Sequence, residues 1–160
     1  MSNRCDRRRP GPDRALVLVD AENIASMALP SELRCATDRA ELRRAIGVRE
    51  NDHVIVASSH LAAKAVWWAW PAARRIVKSG PDGADLALLR AVDAEDICAR
   101  FTRIVIASGD GIFADLAIEL TDMGTEVIVV ARRGSISIRL AESASRTVVL
   151  PKLHDTILAA

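Results

Sequence analysis

Three aspartates stand where this sequence can place chemistry. Asp20 ends the apolar run Leu16-Val17-Leu18-Val19 and leads into Ala21-Glu22-Asn23. Asp110 follows Ile104-Val105-Ile106-Ala107 by way of Ser108-Gly109. Asp85 stands near the start of a helical stretch, 84–97, in which Leu88, Leu89 and Val92 lie at i+3, i+4 and i+7 from it and therefore on its face. Carboxylates brought together repel one another and raise each other's pKa. A hard divalent cation removes that conflict, and oxygen-only ligands suit Mg2+ or Mn2+. Such an ion activates water and stabilises charge on a phosphodiester. Each aspartate also has a plainer reading. Asp20 and Asp110 fit as caps of the helices that follow them. Asp85 fits as a favourable charge in a first helical turn, with Asp82 as the cap.

The surrounding pattern says what must position them. β-Branched and apolar runs occur at 15–19, 53–57, 75–77, 104–107, 126–130 and 147–150. Runs such as Val127-Ile128-Val129-Val130 suit strands covered on both faces. Helical patterns lie between them at 61–70, 84–97 and 112–123, the last with Ile112, Phe113, Leu116, Leu120 and Met123 on one face and Gly124 as its C-cap. This alternation predicts an α/β fold, three layers α/β/α with a central, mostly parallel sheet of order about 3-2-1-4-5. Ligands of such sheets bind beyond the carboxyl ends of the strands, where strand order reverses. Asp20 and Asp110 are then expected to face each other across that crevice, with Asp85 at the rim. The least regular stretch is 30–52, where Pro30 ends any helix begun at Glu22 and Thr37 is the expected cap of a new one.

A chain of 160 residues that is 50% hydrophobic has room for one core and little for two. Residues 1–14, with Arg4, Arg7, Arg8 and Arg9 before Pro10-Gly11-Pro12, read as a disordered basic tail, and 15–160 as one domain. A net charge of +1 gives no global case for nucleic acid, so any polyanion site must be a local patch. Lys78, Arg132, Arg133 and Arg139 are the candidates for such a basic rim on RNA, and ordinary solvated arginines are the competing reading. Cys5, Cys35 and Cys98 match neither a zinc spacing nor a disulfide framework, which suits reduced thiols in a cytoplasmic protein. The apolar runs are too short for a membrane span, and no apolar segment follows the basic N-terminus as a secretory signal requires. Trp67, Trp68 and Trp70 share one helical stretch. A core or homo-oligomer contact is favoured for them over base stacking, with at least one facing outward. His60 is a weaker candidate for a general base. The Arg- and Ala-rich, Lys-poor composition suits a bacterial protein from a GC-rich genome.

Four segments, in order, resemble the NYN domain family of PIN-like nucleases: Asp20-Ala21-Glu22-Asn23 after the first strand, Lys78 to Leu86, Ser108-Gly109-Asp110-Gly111-Ile112-Phe113, and Gly124-Thr125-Glu126-Val127. The resemblance spans about residues 15–150. It implies a Mg2+- or Mn2+-dependent endoribonuclease in which Asp20, Asp85 and Asp110 hold metal, Asn23 orients a ligand or water, and Ser108 braces the loop. The sequence departs from the family's S-G-D-x-D-F element at Ile112, where the second aspartate belongs. Asp115 is the nearby substitute, although its alignment with Glu119 and Asp122 also fits a solvated stripe. The competing function is a catalytically weak or inactive module binding RNA or a protein partner. A phosphatase acting on small nucleotides ranks third, and no Gly-rich nucleotide-cofactor loop is present.

Overall fold

The computed structural model describes residues 13–93 and 97–152. The expected basic tail lies almost wholly outside the described residues, as do Cys5 and the side chain of Cys98. Six strands form one sheet: β1 (Ala15–Asp20), β2 (His53–Ser58), β3 (Arg74–Val77), β4 (Arg103–Ala107), β5 (Glu126–Arg132) and β6 (Arg146–Leu150). Their order is β3-β2-β1-β4-β5-β6 and every pairing is parallel. The expected order holds, with β6 added at the far edge.

Alternation along each strand sorts the core into two layers. Leu16, Leu18, Ile104, Ile106, Val127 and Val129 face one side. There they pack against Leu88 and Val92 of α4 (Gly83–Asp93), Ile97 of α5 (Ile97–Arg100), Leu116 and Leu120 of α6 (Ala114–Asp122) and Leu140 of α7 (Ile138–Ser143). Val17, Val19, Val105, Ile128 and Val130 face the other side. Their partners are Ile24 of α1 (Ala21–Ala25), Cys35, Leu42 and Ile46 of α2 (Glu32–Ile46), and Val66 and Ala69 of α3 (Ala63–Ala69). Aliphatic side chains fill both layers, which is how so few aromatics suffice.

One boundary differs from the sequence expectation. α2 starts at Glu32, where the Ser31 hydroxyl accepts the Arg34 N–H at 3.1 Å. Thr37 is mid-helix and its hydroxyl donates back to the Leu33 carbonyl. Ser31 prevails as the cap because it directly follows Pro30 and leaves Cys35, Leu42 and Ile46 a continuous buried face. The stretch 112–123 also splits. A 3-10 turn, Gly111–Phe113, precedes α6, and Gly124 closes the end with φ +83°. No helix among the described residues is long and apolar enough to cross a membrane.

Candidate functional site

β1 and β4 are hydrogen-bonded neighbours, yet the chain leaves them toward opposite faces of the sheet. The crevice between their carboxyl ends is the switch point of the fold. Asp20 ends β1 and caps α1, its Oδ1 accepting the Asn23 N–H at 3.2 Å. Its Oδ2 accepts the Ser108 hydroxyl at 3.2 Å. The same hydroxyl accepts the Asp110 N–H, and Asp110 Oδ1 caps the 3-10 turn through the Ile112 N–H at 3.0 Å. The capping role and the shared edge therefore coexist for both aspartates. Ser108 braces the loop, as expected for it.

Asn23 closes the crevice from the other side, its Oδ1 accepting the Gly109 N–H at 2.9 Å. Only glycine fits at 109, because a Cβ there would stand 2.2 Å from the Ser135 carbonyl oxygen. Asp85 arrives from α4. Behind it the 78–83 loop folds back so closely that a Cβ on Gly83 would meet the Lys78 carbonyl oxygen at 2.8 Å. Asp82 takes φ +51° to make that turn. Leu88 and Val92 press α4 onto the sheet and leave Asp85 at its rim, buried.

Asp20, Asp85 and Asp110 line one cleft of about 270 Å³ with Lys78, Asn23, Glu22 and Asp82. Burial, then the Asp20 and Asp110 charges, push the Asp85 carboxyl up to about 8. Burial raises Asp20 as well. The two carboxyls are close enough to hydrogen-bond when one is protonated. Asp85 Oδ1 is buried without a hydrogen-bond partner, which is costly for an oxygen of this kind. Among the described residues no three Asp, Glu, His or Cys side chains form a closed metal-ligating group. Both oxygens of Asp20 and Oδ1 of Asp110 each accept a local hydrogen bond. The donor set is nevertheless all carboxylate, as a hard divalent ion requires, and Asp85 supplies a spare oxygen.

Other candidates fall elsewhere. Arg132 is not on a basic rim. It is 3% exposed and donates to the Ile24 and Pro151 carbonyls and to Asp38, with Glu41 also paired to it. Buried Asp38 and half-buried Glu41, 90-odd residues away in sequence, draw it inward. Asp115 is largely exposed and paired with Arg139, so neither joins the cleft. Arg133 is exposed beyond β5. Lys78 lines the cleft. His60 is not among the cleft residues, and its Nδ1 lies 2.8 Å from the Ser79 hydroxyl. Trp70 is core, whereas Trp67 and Trp68 are exposed. The sequence names Asp82 only as a helix cap and Glu22 only within its motif, yet both line the cleft. Glu22, inside Asp20-Ala21-Glu22-Asn23, accepts the Ser59 N–H and ties α1 to the end of β2.

The family model of the NYN domain matches residues 14–151, an interval that takes in all six strands and every cleft residue. The chain belongs to the NYN domain family. NYN domains fall within the PIN-like nuclease superfamily, and the all-parallel sheet between two helical layers is a PIN-like α/β fold. A Vibrio parahaemolyticus RIMD 2210633 protein of unknown function is similar in crystal structure, with a TM-score of 0.54 and 17% identity over 91% of this chain and 97% of that one. At that identity the likeness speaks for the fold alone. A comparison with curated proteins found no match.

Proposed function

We propose that this NYN domain is a metal-dependent endoribonuclease of the cytoplasm. The observation that carries the reading is the unpaired, buried Oδ1 of Asp85 in a cleft shared with Asp20 and Asp110. These three aspartates would hold Mg2+ or Mn2+. Bound there, the ion supplies a Lewis acid toward a phosphodiester oxygen and a lowered pKa for a water. The protein's own groups do the rest. Asp85 keeps a proton near neutral pH and must release it when a cation is taken up. Lys78 offers a compact positive charge to a phosphate at the cleft wall. Asn23 has its oxygen committed to Gly109, so only its NH2 donors remain for a ligand or water. Asp20→Asn tests the reading, because asparagine caps a helix as well as aspartate does. Mn2+-dependent cleavage of a single-stranded RNA is expected to disappear while the melting temperature holds. Cleavage at the wild-type rate rejects the assignment.

Ile112 favours a second reading, a catalytically weak module that binds RNA or a protein partner. Its side chain packs against the core and offers no carboxylate. RNA binding without cleavage in saturating Mn2+ supports that alternative, the more so when Ile112→Asp brings cleavage back.

A further inference from the structure

Charge is unevenly distributed along this chain. From His53 to Pro81 there is no Asp or Glu, yet the segment holds Lys64, Arg74, Arg75, Lys78 and all three tryptophans. It folds as β2, α3 and the edge strand β3. Lys64, Trp67 and Trp68 lie at i, i+3 and i+4 in α3 and so share its outward face. Trp67 is 47% exposed and Trp68 61%, an unusual outlay of aromatic surface in a chain with so few aromatics. Arg75 of β3 lies over the Trp67 ring, 5.1 Å from its centroid. Neighbouring α2 turns two of its three acids elsewhere. Its Asp38 and Glu41 are turned to Arg132, and its Arg39 donates to the Ala69 carbonyl at the end of α3. Arg75 and Lys78 are three residues apart, about 10 Å along the chain, and point to opposite sides of the edge strand, so the track rounds that edge to reach Lys78 on the cleft wall.

We propose that the α3–β3 edge is a binding surface for single-stranded RNA, leading unpaired bases over Trp67 and Trp68 into the cleft. Aromatic rings give each base a stacking platform, and interleaved cations follow the backbone. A second copy of the chain fits this surface poorly, because a two-fold contact would bring two patches of the same positive charge together. The proposal rests on the nuclease reading for its direction toward the cleft, but its test does not need cleavage.

Binding of a labelled oligouridylate of about 12 nucleotides is measured by anisotropy in EDTA, on the full chain, with sedimentation of each protein alongside. Trp68→Ala is expected to weaken binding about ten-fold, the loss of one stacked base. Lys64→Ala with Arg75→Ala should flatten the salt dependence by somewhat more than one unit of log–log slope. Duplex RNA should compete poorly. Absence of binding by the wild type, or equal binding by the folded variants, overturns the proposal. So does a wild-type dimer that Trp68→Ala dissociates with no change in RNA affinity, which would make the patch a protein interface. Because EDTA silences any metal, failure of the nuclease reading shows separately, as no Mn2+-dependent cleavage by a protein that still binds.

Discussion

Asp85 stands beside Asp20 at the rim of the sheet with its Oδ1 buried and unpaired. In the folded protein its proton is held up to about pH 8, against the ordinary 3.8. Between those values the folded state binds more protons than the unfolded chain. The contribution of Asp85 to stability without divalent ions is therefore fully present below about pH 4 and is lost as pH rises to about 8. Asp20 is shifted in the same direction and adds to the effect. The melting temperature in EDTA is expected to fall across that window, and Asp85→Asn should flatten the fall. A variant with the wild-type slope would contradict this assignment.

Mn2+ should reverse that loss. Calorimetric titration at pH 8 is expected to show binding, with protons released, in the wild type. Asp110→Asn should weaken it by at least ten-fold. An unchanged isotherm would move the ion away from the Asp110 edge.

Asn23→Ala leaves the part-buried Gly109 N–H without its acceptor. The expected cost is about 1–3 kcal/mol, or about 2–4 °C of melting temperature per kcal/mol for a chain of this size. Faster exchange of the Gly109 amide would localise the damage. No change in exchange would mean that the loop holds itself.

Gly109→Ala forces a methyl group against the Ser135 backbone. Overpacking of this kind costs about 1–3 kcal/mol, and the 108–111 loop must move to relieve it. Metal affinity is expected to fall with stability. Full retention of both would show that the loop after β5 yields freely.

Arg132→Ala removes one of the two arginine partners of buried Asp38, which keeps Arg34, and takes the arginine from half-buried Glu41. Breaking a buried pair in this way costs about 3–5 kcal/mol, read by urea denaturation. RNA affinity of the folded fraction should not change. Loss of RNA affinity at undiminished stability would return Arg132 to the basic rim.

Much of this was legible in the sequence, for identifiable reasons. Continuous β-branched and apolar runs such as Leu16–Val19 suit strands buried on both faces, and they locate the sheet. Asp20 follows such a run directly and Asp110 follows one after two intervening residues, so their shared edge could be read without coordinates. Arg132 could not be read in the same way. Its place after a strand says carboxyl edge, but its direction depends on Asp38 and Glu41, which are remote in sequence and part of a helix whose own start was misread at Thr37. Asp115 illustrates the opposite case. Its alignment with Glu119 and Asp122 already described a solvated stripe, and its pairing with Arg139 agrees.

Asp20 and Ser108 are 88 positions apart, one ending β1 and the other directly following its neighbour β4. β1 is made first yet ends in the middle of the sheet, so its second edge stays bare until β4 leaves the ribosome. Before that moment the chain has no assembled centre and carries an apolar edge open to mispairing. That interval is when the nascent chain most needs shelter from aggregation.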